Sequence, residues 1–172
     1  MEETILVLMK IWCHIIAAIK KIWYKIVNGN RVSFGRETTF RKGFSLVIDK
    51  NGTVEIGDNC FFNNGCSINC LNSVEIGAGT IFGENVKVYD HNHRFADFNQ
   101  PIKSQGYSVG SIKIGKHCWI GSNAVILKGA EIGDNCVIGA GCVISGRIDS
   151  GNIVKMPCDY VVEPIREDTK NE

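Results

Sequence analysis

A large apolar residue returns at every sixth position through Ile114, Ile120, Ile126, Ile132, Ile138 and Ile144. Upstream the same beat runs through Phe34, Phe40, Leu46, then Ile56, Phe62, Ile68, then Ile76, Phe82, Val88. Glycine follows the beat at Gly57, Gly77, Gly83, Gly115, Gly121, Gly133 and Gly139. A helix repeats every 3.6 residues and a strand every 2, so neither sustains this pattern. The beat predicts flat faces joined by corners, three faces closing a triangular coil. The breaks after Leu46, Ile68 and Val88 each follow a complete set of three. They therefore leave from one corner, where a loop can depart.

Residues 33–149 read as this prism, of about five coils, with neighbouring coils pairing short parallel strands. The segment 94–111 is a long excursion at the third break, and its Phe95, Phe98, Pro101 and Tyr107 suit an ordered arm reaching a neighbouring subunit. After Ser150 the pattern stops, and residues 150–172 are expected to form a short cap and charged tail. Residues 1–32 are an apolar helix and link. Over 5–27, Glu3, Lys10, His14, Lys21 and Lys25 fall in one narrow stripe of a helical wheel, and nearly everything else is apolar. Asn28-Gly29 is a fitting stop. A helix so apolar must be buried in something. It packs on a neighbouring subunit or the prism end, lies in a membrane surface, or spans a bilayer, against which its charges speak.

The 172 residues suffice for one domain, and the net charge of +1 argues against a nucleic-acid binder. No signal peptide is evident. Of the 8 cysteines, Cys60, Cys66, Cys118, Cys136 and Cys142 sit four places after the beat, in a slot that elsewhere holds Ala124, Ala130 or Thr80. A slot shared with alanine wants a small inward side chain, and cysteine fills it as a small hydrophobe. Reduced cysteines in a cytoplasmic protein follow, with no metal site.

The run 112–141, I-K-I-G-K-H-C-W-I-G-S-N-A-V-I-L-K-G-A-E-I-G-D-N-C-V-I-G-A-G, resembles the hexapeptide-repeat acyltransferases, in particular their galactoside, maltose and polysaccharide O-acetyltransferase branch. The resemblance covers about residues 33–164. It implies an all-β fold: a left-handed parallel β-helix, an exception to the right-handed crossover rule, with an N-terminal α-helix and a C-terminal cap. It also implies a homotrimer with active sites between subunits, acetyl-coenzyme A as donor and a sugar or glycan hydroxyl as acceptor.

Acetyl transfer to an alcohol needs a base, donors for the oxyanion and two substrates held at attack distance. Among four histidines, His14 lies on the helix stripe and His117 at an outward corner. His91 and His93, in Val88-Tyr-Asp-His-Asn-His-Arg94, stand at the last face before the excursion. Matched to maltose-type relatives, His93 is the general base and His91 assists, though some relatives fit the earlier histidine. Asp90 is a candidate to orient an imidazole. The resemblance puts Trp119 beside the thioester and the Ser122 main-chain N–H on its oxygen. Gly121, Ala140 and Ser145 complete the donor site, with Arg147 and Lys155 for its phosphates. Asn63 and Tyr89 are acceptor candidates; Asn63 reads equally as an asparagine tolerating a left-handed corner. Two departures stand out. Ile68-Asn-Cys-Leu-Asn72 lacks the acceptor-binding acid of galactoside-type relatives, and Pro157-Cys158 is followed by Asp159 in place of a base, with Lys155 or Arg166 as substitutes. Rival readings are an amine, antibiotic or serine acceptor, or a metal-binding or non-catalytic prism.

Overall fold

The computed structural model describes residues 2–157. Helix α1 (Glu2–Asn28) ends in a 3-10 turn, Gly29–Arg31, and the rest is a triangular prism. The first face stacks Val32–Phe34, Thr53–Ile56, Ser73–Ile76, Ile112–Ile114, Glu131–Ile132 and Arg147–Ile148. The second stacks Thr39–Phe40, Phe61–Phe62, Ile81–Phe82, Trp119–Ile120, Val137–Ile138 and Ile153–Val154. The third stacks Ser45–Ile48, Ser67–Cys70, Lys87–Tyr89, Val125–Leu127 and Val143–Ile144. All neighbours within a face are parallel, so the chain is the β-helix of the expected left-handed class, with five full coils and two faces of a sixth.

The beat residues pair in register up each face, Ile56 with Ile76 and Ile114 with Ile132 on the first. They point inward and are buried, as are the small-slot residues Cys60, Cys66, Thr80, Cys118, Ala124, Ala130, Cys136 and Cys142. Each face thus offers the interior two side chains per coil, the beat residue and a second that is small at these positions but Val32, Val54, Val74 or Ile112 on the first face and Phe44 or Val86 on the third. Buried thiols find carbonyls, Cys66 Sγ donating to Gly83 O at 3.1 Å and Cys118 Sγ to Gly133 O at 3.1 Å. Burial pushes the thiols of Cys60, Cys66 and Cys118 up, which keeps them protonated and inert. In the early coils the core is aromatic: Phe62 stacks on Phe82 with centroids 4.3 Å apart.

The glycine after the beat is required by close approach of the coil above. A Cβ on Gly77 would lie 2.6 Å from the Lys116 nitrogen. Two residues further on the backbone is left-handed at Asn59, Asn85, Asn123 and Asn135, a conformation asparagine tolerates. His117 occupies this slot too (φ 56), with its ring over Gly79. It is a corner residue.

Two corners of every coil keep the six-residue beat, and the third does not. From third face to first, Leu46 to Ile56 takes ten residues, Ile68 to Ile76 eight, Val88 to Ile114 twenty-six and Ile126 to Ile132 six. Ile144 to Ile148 takes four, through the tight turn at Ser145-Gly146. That shortening resets the beat, so the repeat does not stop after Ser150: Ile153–Val154 pairs with Val137–Ile138. The cap expected over 158–172, including Arg166, lies outside the described residues.

Helix α1 closes the other end. Ala17 is buried against the first coil, and Tyr24 meets the rings of Phe34, Phe40 and Phe44 at centroid distances of 6.2, 6.5 and 6.2 Å. No described helix is long and apolar enough to cross a membrane.

Candidate active site

The long excursion of the third corner opens with a strand, His91–His93, that pairs antiparallel with Tyr107–Val109. The alternation of a strand puts His91 and His93 on one side of it. Tyr107 packs against both rings, with centroids 5.2 Å from His91 and 4.6 Å from His93. Lys128 Nζ donates to Ser108 Oγ at 2.6 Å and ties the arm to the prism. Beyond the hairpin, the Gln105 side chain accepts from Asp97 N and donates to the Asp97 and Gln100 carbonyls, so the arm is internally braced. A cleft of about 530 Å³ lies between His93, Phe95 and Ser108. In the same arm Phe98 is 99% exposed.

Asp90 is fully buried. Its carboxylate accepts from Leu71 N at 2.9 Å and Asn72 N at 2.6 Å, from Cys70 Sγ at 3.2 Å, and contacts His91 Nδ1 at 3.0 Å. Asp90 therefore holds His91, and the Leu71-Asn72 turn one coil below, in place. It does not touch His93, which is exposed and faces the cleft. Burial, and then the neighbouring Asp90 carboxylate, pushes the Cys70 thiol up to about 12.

The donor candidates fall elsewhere. Trp119 projects outward from the second face, 54% exposed, in register between Ile81 and Val137. Gly121, Ser122, Ala140 and Lys155 follow along the edge where the second face turns into the third. A corner ladder bears on Ser122, as it does on Asp58, which faces Ala78 at the first corner. Glu84 N donates to Ser122 Oγ at 3.1 Å in the coil above, and at the first corner Lys116 N and Asp134 N do the same to Asp134 Oδ1 and Ser150 Oγ. Above Ser122 stands Ala140, whose side chain has no acceptor, so the ladder cannot satisfy the Ser122 N–H. Asn63 lies on this edge two coils below. Its backbone is not left-handed; that conformation belongs to Gly65 (φ 72), and Asn63 Oδ1 instead accepts from Asn64 N at 2.9 Å.

Ser145 and Arg147 are not on this edge. Ser145 sits in the shortened third corner, and Arg147 lies on the first face, paired with Asp149 at 2.9 Å. Tyr89 is on the third face beside Asn69 and Leu127. The chain thus carries its histidines on one edge and Trp119, Ser122 and Lys155 on another. The contact of Asp90 with His91 is the one expected of an imidazole-orienting acid; its hold on the Leu71-Asn72 turn and the hairpin pairing were invisible in the sequence, since no periodic signal marks either. The only hint was an acid where the core side of the strand continues past Val88.

The bacterial transferase hexapeptide (six repeats) family matches residues 111–146. A putative lipopolysaccharide biosynthesis O-acetyl transferase of Escherichia coli K12 is 27% identical over 152 residues, 84% of this chain and 78% of that one. Among solved structures, a maltose O-acetyltransferase of Clostridium difficile superposes with a TM-score of 0.62 at 28% identity, covering 80% of this chain and 72% of the other. The chain carries the hexapeptide repeat of the bacterial transferases and is similar along most of its length to O-acetyltransferases. It is an acetyltransferase. A hexapeptide-repeat acetyltransferase of Vibrio cholerae shares the fold, with a TM-score of 0.70 at 20% identity over 88% of this chain and 82% of that one. A second structure of the Vibrio protein is a complex with acetyl-coenzyme A, with a TM-score of 0.63 at 23% identity over 70% and 63% of the two chains.

Proposed function

We propose that this hexapeptide-repeat enzyme moves acetyl from acetyl-coenzyme A to a hydroxyl of a sugar or cell-surface glycan precursor, with His93 as general base. The observation that carries the reading is the division of the candidate groups between two edges of one prism. A site containing both the histidines and the Trp119–Ser122 edge needs two protomers, which supports a homotrimer with its active sites between subunits. In each site, His93 of one protomer faces the Trp119 edge of the next. The exposed indole and the open Ser122 and Ala140 N–H groups suit the acyl and pantetheine end of the donor, and Lys155 its phosphates.

The step balances without a covalent enzyme intermediate. As the acceptor oxygen attacks the thioester carbonyl, its proton passes to the His93 imidazole. The Ser122 N–H donates to the oxyanion. Collapse breaks the carbon–sulfur bond, and the thiolate takes the proton back from the imidazolium. The inert core thiols support direct attack over an acyl-enzyme. The Escherichia coli relative supports a glycan acceptor. Seven free cysteines among the described residues are in keeping with the cytoplasm. There a lipid-linked glycan precursor would be met at the inner membrane face through residues 5–27.

The hydrogen bond that Asp90 accepts from His91 Nδ1 favours a second reading, in which His91 is the base, held in one tautomer as in a catalytic triad. Release of coenzyme A thiol from acetyl-coenzyme A, measured across sugars, oligosaccharides and alcohols, decides. On the favoured reading His93→Ala lowers acceptor-dependent turnover by about 10²–10⁴ and His91→Gln much less. The reverse order makes His91 the base. No release with any acceptor, together with no binding of acetyl-coenzyme A, defeats both readings.

A further inference from the structure

We propose that helix α1 lies flat in the surface of an anionic lipid bilayer. The proposal deepens the contact suggested for residues 5–27 and does not depend on the transfer chemistry. One side of α1 is committed to the prism. Ala17 and Asn28 are buried there, Tyr24 Oη donates to Phe44 O at 3.4 Å, and Lys25 Nζ donates to Val32 O at 3.0 Å. The opposite side presents Trp12, Ile15, Ile19, Ile22, Trp23 and Ile26, each between 47% and 72% exposed. No polar side chain interrupts this strip between Ile11 and Ile26 at its spacing. A water-facing strip of isoleucine and tryptophan, on a helix already anchored through its other side, calls for an apolar cover.

Charge and shape select the cover. From Ile5 to Asn28 every charged residue is basic: Lys10, Lys20, Lys21 and Lys25. A second copy of the helix would bring like charges together, whereas an anionic headgroup layer complements them. The adjacent pairs Trp12 with Ile11 and Trp23 with Ile22 widen the strip to roughly 120° at about 100° per residue. That exceeds the two-position seam of a helix pair and matches a planar medium. Tryptophan suits the boundary between headgroups and acyl chains. Since no described helix can cross a bilayer, α1 would lie in the interface, with the first coil of the prism directly above it.

Flotation of the full chain tests this, using vesicles of phosphatidylcholine alone and of phosphatidylcholine with phosphatidylglycerol, at low and high salt. The wild type is expected to float with the anionic vesicles, more weakly with the neutral ones, and less at high salt. Ile15→Glu, Ile19→Glu and Ile22→Glu together should cut partitioning by about tenfold or more while leaving the melting temperature and thiol release with a soluble acceptor unchanged. If the triple variant melts differently, Ile15→Ser with Ile22→Ser replaces it. The proposal is overturned if the wild type stays at the bottom of both gradients, if the variant floats equally, or if the variant changes oligomer size while neither protein floats, which would make a second copy the cover.

Discussion

The first and third corners of this prism are built from the same chain and obey opposite rules. At the first, glycine meets the backbone of the next coil, as at Gly77, and every passage takes six residues. At the third, five passages use four to twenty-six residues, and one of them carries both candidate histidines. The second corner obeys the rule of the first, and there the regular ladder still leaves the Ser122 N–H unserved. Candidate chemistry therefore enters this fold chiefly by insertion where the stack is loose.

The sharpest way to break this comparison is a matched insertion. Two residues, Gly-Ser, placed between Ala78 and Gly79 would shift every later hexad off its register with the coil below. That should destabilise the fold by about 3 kcal/mol or more, or prevent folding. The same two residues between Lys50 and Asn51, in the turn that already departs from the beat, should cost about 1 kcal/mol or less. Thermal unfolding followed by circular dichroism compares them. Equal losses would mean that the third corner is no looser than the first.

Asp90 sharpens the comparison from inside the loose corner. It supplies the acceptor for Leu71 N and Asn72 N that a regular corner would draw from its neighbouring coil. Asp90→Ala leaves those donors, and His91, without a partner. A loss of about 2–4 kcal/mol is expected from buried groups left unpaired, with turnover reduced as well because His93 rides on the same strand. Asp90→Asn keeps one acceptor oxygen and should recover part of both. A melting temperature unmoved by Asp90→Ala would show that the corner does not depend on this carboxylate.

Much of this was legible in the hexad beat. The three faces, the shared exit corner after Leu46, Ile68 and Val88, and the small inward slot of Cys60 or Ala124 all follow from spacing alone, because each coil repeats the same local packing problem. The beat failed where one corner shortens. Ile144 to Ile148 breaks the count, so by spacing alone the pattern stops after Ser150 and the strand Ile153–Val154 falls off the beat. The site was legible only as residue types. That Asp90 serves His91 and not His93, and that Asn63 caps its corner without a left-handed backbone, depends on contacts between coils that no spacing encodes.

The smallest expected effect tests why the tight corners favour asparagine. Asn135 sits at φ 56, and its N–H donates to Lys116 O one coil below at 2.8 Å. A side chain with a Cβ costs roughly 1–2 kcal/mol in this region, and asparagine offsets part of that through local hydrogen bonding. Asn135→Ala removes the offset and keeps the Cβ, so it should lose about 1 kcal/mol. Asn135→Gly removes both, gaining the free conformation but loosening the unfolded chain, and should fall within about 0.5 kcal/mol of the wild type. The backbone hydrogen bond survives in both variants, so the difference between them isolates the conformational term. Denaturant unfolding with an unchanged m-value measures it. If alanine and glycine come out equal, the left-handed corner carries no strain, and its asparagines must be explained by side-chain contacts alone.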